Sequence, residues 1–158
     1  MKNDIRVIAY GDIDELNVQI GICSNFLKNA PNSKDFNYFI ERLTSIQNEL
    51  FNLGTVLAAT GSSLKEDLPR ITSKDIGNLE TDIDNMNEKI EPLSSFTLPG
   101  GNRTVLALHQ ARVVCRRSER SAVTVLHQFQ DLDKLVIIYI NRLSDYLFVL
   151  GRLVSNML

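Results

Sequence analysis

Apolar residues recur with the 3.6-residue period of an α-helix along almost the whole chain of 158 residues. The pattern predicts five helices, at about residues 12–29, 33–59, 73–91, 102–128 and 132–158. A strand-like pattern is limited to one short extended piece at residues 6–10. Long helices with short connections predict an all-α fold, a single antiparallel five-helix bundle spanning residues 1–158.

Local signals mark the ends and connections of these helices. We expect Asp12 to cap the first helix and Ser73 to cap the third. The connection at residues 93–102 contains a Pro-Gly-Gly turn, which suits a backbone with positive φ. The polar segment at residues 61–70 is predicted to be the most mobile loop.

Composition excludes several classes of protein. The net charge is −2 and 44% of the residues are hydrophobic, a globular balance that argues against a nucleic-acid binder. Neither of the two cysteines lies in a Cys-x-x-Cys pair and only two histidines occur, so no metal site is expected. The longest apolar run, residues 135–140, is too short to cross a membrane. No signal-peptide pattern opens the sequence, so a cytoplasmic protein is expected.

The fourth predicted helix carries a charged stripe on an otherwise apolar surface. Within about one third of the helix circumference lie Arg112, Arg116, Arg120, Glu119 and His109. Because an unpaired buried charge is costly, such a stripe must meet acidic residues, another subunit or a ligand.

Two interpretations of this stripe remain open from the residues alone. The arginines could pair with acidic side chains of the first helix, for which Asp12, Asp14 and Glu15 are available. Alternatively they could bind a polyphosphate, since a guanidinium is planar, permanently charged and suited to phosphate oxygens.

A second cluster of polar and aromatic residues occupies one narrow face of the fifth predicted helix. Its members are Asn141, Asp145, Phe148 and Arg152. This face could simply be solvated. It could also serve a ligand, with Asn141 hydrogen-bonding a nucleotide and Phe148 lining an apolar pocket.

Six segments, taken in order, give the chain a resemblance to the trimeric, helical-bundle type of ATP:cob(I)alamin adenosyltransferase. They are YGDIDELN (residues 10–17), IQNELFNLG (46–54), FTLPGG (96–101), LHQAR (108–112), RRSER (116–120) and YINRLSDYLF (139–148). Any one of them is a weak signal, but six in the order of the family, over nearly the whole chain, are a strong one.

The resemblance implies transfer of the 5′-deoxyadenosyl group from ATP to cob(I)alamin, giving adenosylcobalamin and triphosphate. It implies a homotrimer with active sites between subunits, with ATP, Mg²⁺ and a corrinoid as ligands. It carries over no metal-ligating residue, and it makes a B12-dependent enzyme the expected recipient of the product.

The resemblance also implies roles for individual residues. The implied ATP-binding residues are Lys2, Arg116, Glu119, Arg120 and Asn141, of which Arg116, Glu119 and Arg120 are also catalytic. Phe96 and Phe148 match the corrinoid pocket, and Asp14 and Arg112 match an ion pair across the subunit interface.

Members of the family usually carry a glycine-rich segment that wraps the ATP phosphates ahead of the position of Met1. Many also carry a tail that covers the corrinoid beyond the position of Leu158, and we expect this chain to lack both segments. The alternative function is therefore a corrinoid-binding carrier that has lost ATP chemistry. A purely structural helical trimer is a third interpretation.

Overall fold

A computed structural model describes residues 1–63 and 67–158, and these residues form helices and connections without any strand. The helices are α1 (Ile5–Lys28), α2 (Asn37–Ala59), α3 (Ser73–Asn87), α4 (Arg103–Gln128) and α5 (Lys134–Met157). A 3-10 turn, Ser33–Phe36, leads into α2. The prediction of an all-α fold with five helices is confirmed.

The start of α1 differs from the prediction. The helix begins at Ile5, and Asp4 caps it by accepting a hydrogen bond from the backbone N–H of Arg6 at 2.8 Å. The predicted cap at Asp12 and the extended piece at residues 6–10 are therefore wrong. Ala9 is fully buried and continues the apolar stripe of α1 toward the N-terminus, a signal that its exposed apolar neighbours obscured.

Smaller corrections apply to the other helix ends. Thr72, not Ser73, caps α3, through a reciprocal capping box with Asp75. The helix ends at Asn87 rather than near residue 91. Asp133 caps α5 by accepting from the backbone N–H of Leu135 at 2.9 Å. Of the loop predicted to be mobile, residues 64–66 lie outside the described residues.

The position of α4 between two antiparallel neighbours, α1 and α5, organises the bundle. The Cys115 thiol of α4 donates to the backbone carbonyl of Ile140 in α5 at 3.3 Å. α2 lies antiparallel to α1, where Asn17 and Gln47 exchange side-chain-to-backbone hydrogen bonds of 3.1 and 3.2 Å. α3 packs chiefly against α5. The remaining flank of α4 faces outward and carries the charged stripe.

A polar clamp fastens α1 to α4. Arg117 Nε donates to Asp12 Oδ1 at 3.3 Å, and its Nη2 contacts the carboxylate of Glu15. The hydroxyl of Ser121 donates to the other oxygen of Asp12. Asp12 and Glu15 of α1 are thus paired with Arg117, which lies beside the predicted stripe of α4 and is not part of it.

The core draws on all five helices and includes both cysteines. Cys23 and Cys115 are fully buried, form no disulfide and pack as small side chains of the core. Burial raises the pKa of the Cys23 thiol to about 12. Among the described residues, no helix combines the length and the apolar character that crossing a membrane requires.

A polar cluster joins α2 to α3 and α5. The buried carboxylate of Asp82 accepts from Arg42 Nε at 2.6 Å and from the Tyr38 hydroxyl at 2.5 Å. Nearby, the hydroxyl of Tyr139 donates to Glu49 Oε2 at 3.3 Å. Since a buried carboxylate is stable only with such partners, this cluster fixes how α3 docks on the bundle.

Candidate functional site

Two neighbouring concavities lie along the outward flank of α4. The arginine pocket, of about 340 Å³, is lined by Arg116, Glu119, Arg120 and Val123. The linker groove, of about 530 Å³, lies between the connection from α3 and the helices α4 and α5, and is lined by Leu93, Ser94, Ser95, Phe96, Thr97, Pro99, His109, Arg112 and Phe148. Arg112 and Arg116 are one helical turn apart, about 6 Å along the axis, so the two concavities are adjacent.

The arginine pocket contains two arginines that no carboxylate of the described residues pairs with. Arg116 and Arg120 are exposed, and among the described residues neither forms an ion pair. The carboxylates of Asp12 and Glu15 are occupied by Arg117 instead. The first interpretation of the stripe, pairing with the acidic residues of α1, therefore does not hold for these two arginines.

Asn141 joins the arginine pocket from α5. Its Nδ2 donates to Glu119 Oε1 at 3.1 Å, which ties the two helices together at the edge of the pocket. Four of the five residues that the resemblance assigned to ATP, Arg116, Glu119, Arg120 and Asn141, thus lie together. Lys2 is exposed ahead of α1 and lines neither concavity.

The linker groove brings together two aromatic residues that are far apart in the sequence. Phe148 of α5 is half-buried against the core, whereas Phe96 on the connection is fully exposed. Asn102 anchors the end of that connection, accepting from the backbone N–H groups of Thr104 and Val105 at 3.0 Å each. The groove thus has one rigid apolar wall and one wall supplied by a solvent-exposed segment.

Two polar side chains complete the linker groove. The guanidinium of Arg112 lies 5.9 Å from the centre of the Phe148 ring. Its Nε is buried, with no hydrogen-bond partner among the described residues. Burial, and then the charge of Arg112, lower the pKa of His109, which favours its neutral imidazole. His109 is not among the site residues predicted from the sequence, although it lies on the same face of α4 as the predicted arginines.

The structure does not join Asp14 to Arg112 within one chain. Asp14 is exposed on α1, where it lines a shallow cleft between α1 and α2 with Tyr10 and Phe51. It makes no ion pair among the described residues. Within the same residues, no group of three or more His, Cys, Asp or Glu side chains is arranged to hold a metal ion.

The sequence profile of the family described as cobalamin adenosyltransferase matches residues 1–154. The corrinoid adenosyltransferase of Bacillus subtilis is 37% identical over 154 residues, covering 98% of this chain and 76% of the relative. The corrinoid adenosyltransferase of Mycobacterium leprae is 38% identical over 160 residues, covering 98% of this chain and 81% of the relative.

Solved structures show the same similarity. A variant of the PduO-type ATP:corrinoid adenosyltransferase from Lactobacillus reuteri, complexed with cobalamin and ATP, superimposes with a TM-score of 0.90 at 32% identity. The match covers 99% of this chain and 83% of that one. A second variant of the same protein, complexed with ATP, gives a TM-score of 0.87 and covers 99% and 85% of the two chains.

Proposed function

The chain belongs to the cobalamin adenosyltransferase family, and on that premise we propose that it transfers the 5′-deoxyadenosyl group of ATP to cob(I)alamin. The observation that carries this proposal is the adjacency of the two concavities on α4. One is cationic and suits a polyphosphate, and the other is wide and partly aromatic and suits a corrin ring. Two substrates bound there would meet about one helical turn apart.

ATP is proposed to occupy the arginine pocket. Arg116 and Arg120 can take the phosphate oxygens, because their guanidinium groups are not engaged by carboxylates of the described chain. Glu119 and Asn141 form the edge of the pocket that meets the nucleoside. Lys2 is assigned to the same nucleotide as a further phosphate ligand. Mg²⁺ would be held mostly by phosphate oxygens and water, the coordination it commonly adopts beside nucleotides.

The corrinoid is proposed to occupy the linker groove. Phe148 and Phe96 offer apolar surface to the corrin ring, and the neutral imidazole of His109 offers a hydrogen bond to its polar rim. Phe96 is assigned a second role, keeping water and the lower axial base from one face of cobalt. A cobalt ion without a lower ligand is easier to reduce to Co(I), so this exclusion assists the step that precedes transfer.

Transfer of the adenosyl group requires little acid–base catalysis by the protein. The electron pair of Co(I) forms the cobalt–carbon bond at C5′, and the C5′–O bond breaks with its pair leaving on triphosphate. Because Co(I) is already a strong nucleophile, the site contributes alignment and stabilisation of the developing negative charge. Arg116 and Arg120 are placed for the second task.

We propose that the enzyme is a homotrimer in which Arg112 pairs with Asp14 of a neighbouring subunit. The buried, unpartnered Nε of Arg112 needs an acceptor, and Asp14 is an exposed carboxylate without an ion pair among the described residues. Exposed apolar residues accompany both groups, Val7, Tyr10 and Val18 along α1 and Leu106 and Val113 along α4. An assembly would bury them.

Two further assignments concern the compartment of the protein and the recipient of its product. The buried, unpaired thiols of Cys23 and Cys115 support a reducing, cytoplasmic compartment. A B12-dependent enzyme that receives adenosylcobalamin is the proposed downstream partner, because the product is of use only where it is consumed as a cofactor.

The test is an anaerobic assay that follows the loss of Co(I) absorbance in the presence of MgATP. Arg116→Ala should lower turnover by about a hundredfold or more, the usual effect of removing one charge-stabilising donor. Arg117→Ala is the matched control, because Arg117 pairs with Asp12 and Glu15 of α1 instead of lining the arginine pocket. Full turnover by Arg116→Ala would overturn the assignment. Corrinoid binding without MgATP binding would identify a carrier instead.

A further inference from the structure

A chain of four polar side chains leads away from the arginine pocket along α5. Glu119 accepts from Asn141 Nδ2 at 3.1 Å, and Asn141 Oδ1 accepts from Arg142 Nη2 at 2.7 Å. Arg142 in turn pairs with Asp145, one turn further along the helix, at 3.4 Å. Arg142 is not among the residues that line the pocket, and the contact that joins it to the pocket is its hydrogen bond to Asn141, which in turn binds Glu119.

The two partners of Asn141 allow only one orientation of its amide. An ionised carboxylate can only accept hydrogen bonds and a guanidinium can only donate them. Turning the amide over would set its oxygen against Glu119 and its N–H groups against Arg142. Both contacts would then be repulsive, and two charge-assisted hydrogen bonds would be lost. Arg142 and Glu119 together hold the Asn141 amide in this one orientation.

We propose that Arg142 is a positioning residue for nucleotide binding, acting by fixing the orientation of the Asn141 amide. With one N–H donated to Glu119 and Oδ1 accepting from Arg142, the donor that Asn141 has left for a ligand is the second N–H of Nδ2. Asn141 therefore presents a hydrogen-bond donor to an acceptor of the bound nucleotide, a ribose hydroxyl oxygen, a ring nitrogen or a phosphate oxygen. This role rests on the nucleotide site proposed above.

The ion pair with Asp145 keeps Arg142 in the position where it reaches Asn141. The side chains of Arg142 and Asp145 are 40% and 53% exposed, so the pair is screened by solvent and contributes little to stability. Substitution of Arg142 or Asp145 should consequently leave the fold intact. A change in Kd in these variants would then reflect the positioning of Asn141 rather than a loss of structure.

The experiment measures the Kd of MgATP by calorimetric titration of the full chain and of five single and two double variants. Arg142→Met should raise Kd about tenfold, the loss expected when a charge-assisted hydrogen bond stops orienting a ligand-binding group. Arg142→Lys, which keeps one donor for Asn141 Oδ1, should recover most of the affinity. Arg152→Met, an arginine of the same helix that contacts the Glu91 carbonyl instead, should leave Kd unchanged.

The decisive comparison is a double-mutant cycle with Asn141→Ala. If Arg142 acts only through Asn141, Arg142→Met should have no further effect on Kd once Asn141 is alanine. Asp145→Asn should give a smaller increase in Kd that also disappears in the Asn141→Ala background. The Kd for cob(II)alamin should be the same in Arg142→Met and in the unsubstituted chain.

Three outcomes count against the proposal. Additive effects of Arg142→Met and Asn141→Ala, or an unchanged Kd in Arg142→Met, would overturn the positioning role and leave the nucleotide site standing. Failure of the unsubstituted chain to bind MgATP would overturn the nucleotide site itself, and this role with it. The thermal unfolding midpoint of each variant shows that a change in Kd reflects binding rather than loss of fold.

Discussion

Tyr139 of α5 donates its hydroxyl to the carboxylate of Glu49 on α2, at 3.3 Å, in a place where that carboxylate has lost much of its water. Burial, and then the nearby carboxylate of Asp75, raise the pKa of Glu49 to about 7. Its pKa in the unfolded chain is about 4.3. The folded protein therefore binds a proton at Glu49 more tightly than the unfolded chain does.

The contribution of Glu49 to the free energy of unfolding should consequently fall as the pH rises. The contribution of Glu49 is highest below about pH 4.3, where both states are protonated, and is lost as the pH rises through the folded-state pKa of about 7. Urea unfolding at pH 5, 6, 7 and 8, at one protein concentration, measures this slope. Glu49→Gln should flatten it.

Glu41→Gln is the matched control for that experiment. Glu41 lies two turns earlier on α2 and its side chain is exposed. Its substitution should leave the slope between pH 5 and 8 as it is in the unsubstituted chain. An equally steep slope in Glu49→Gln would show that another group is responsible.

Arg116 and Arg117 are neighbours in the sequence with separate tasks, and alanine substitution should distinguish them. Arg117→Ala removes the clamp to Asp12 and Glu15 and should lower the free energy of unfolding by about 1 kcal/mol, a value kept small by solvent exposure of the pair. Arg116→Ala should leave stability unchanged and weaken MgATP binding. Denaturant unfolding and ligand titration on both variants give the comparison, and a reversed pattern would contradict the assignment.

Phe96 and Phe148 line the same groove but differ in what else they support. Phe96 is fully exposed, so Phe96→Ala should leave the thermal midpoint unchanged while it slows adenosylation that starts from cob(II)alamin under a weak reductant. Phe148 packs against the core, so Phe148→Ala should cost about 2 kcal/mol of stability as well as corrinoid affinity. Undiminished activity of Phe96→Ala from cob(II)alamin would remove its proposed role at cobalt.

The proposed pairing of Arg112 with Asp14 of another subunit predicts a charge-swap effect. Asp14→Arg should dissociate the assembly, because it places a second cation beside Arg112. Arg112→Asp should do the same, because it places a second anion beside Asp14. The double variant restores opposite charges and should recover much of the trimer. Sedimentation equilibrium measures all three, and an unaltered mass for both single variants would exclude the pair as an interface contact.

Positions within one helix could be predicted from the sequence, because helical geometry fixes which side chains share a face. That is why Arg116, Glu119 and Arg120, which helical geometry places on one face, line one pocket. The start of α1 was missed for a local reason. Its first turns are apolar on several sides, and exposed residues such as Val7 hid the stripe that begins with the buried Ala9.

Contacts between helices could not be predicted, since they depend on how far one helix slides along its neighbour. Asn141 meets Glu119 only because α5 lies antiparallel to α4 in one particular register. The same register decides that Asp12 and Glu15 go to Arg117 rather than to the predicted stripe. The resemblance supplied residue roles that periodicity alone could not have supplied.

The way α3 is attached has a consequence for the groove above it. α3 packs chiefly against α5. The other extensive contacts join α1 to α2, α1 to α4 and α4 to α5. The connection that carries Phe96 begins where α3 ends. We therefore expect α3 to undock more readily than α4, and its amide hydrogens to exchange with solvent before those of α4. Such an opening would displace the start of the connection that carries Phe96 and leave the arginines of α4 in place, so that the linker groove can change shape while the arginine pocket does not.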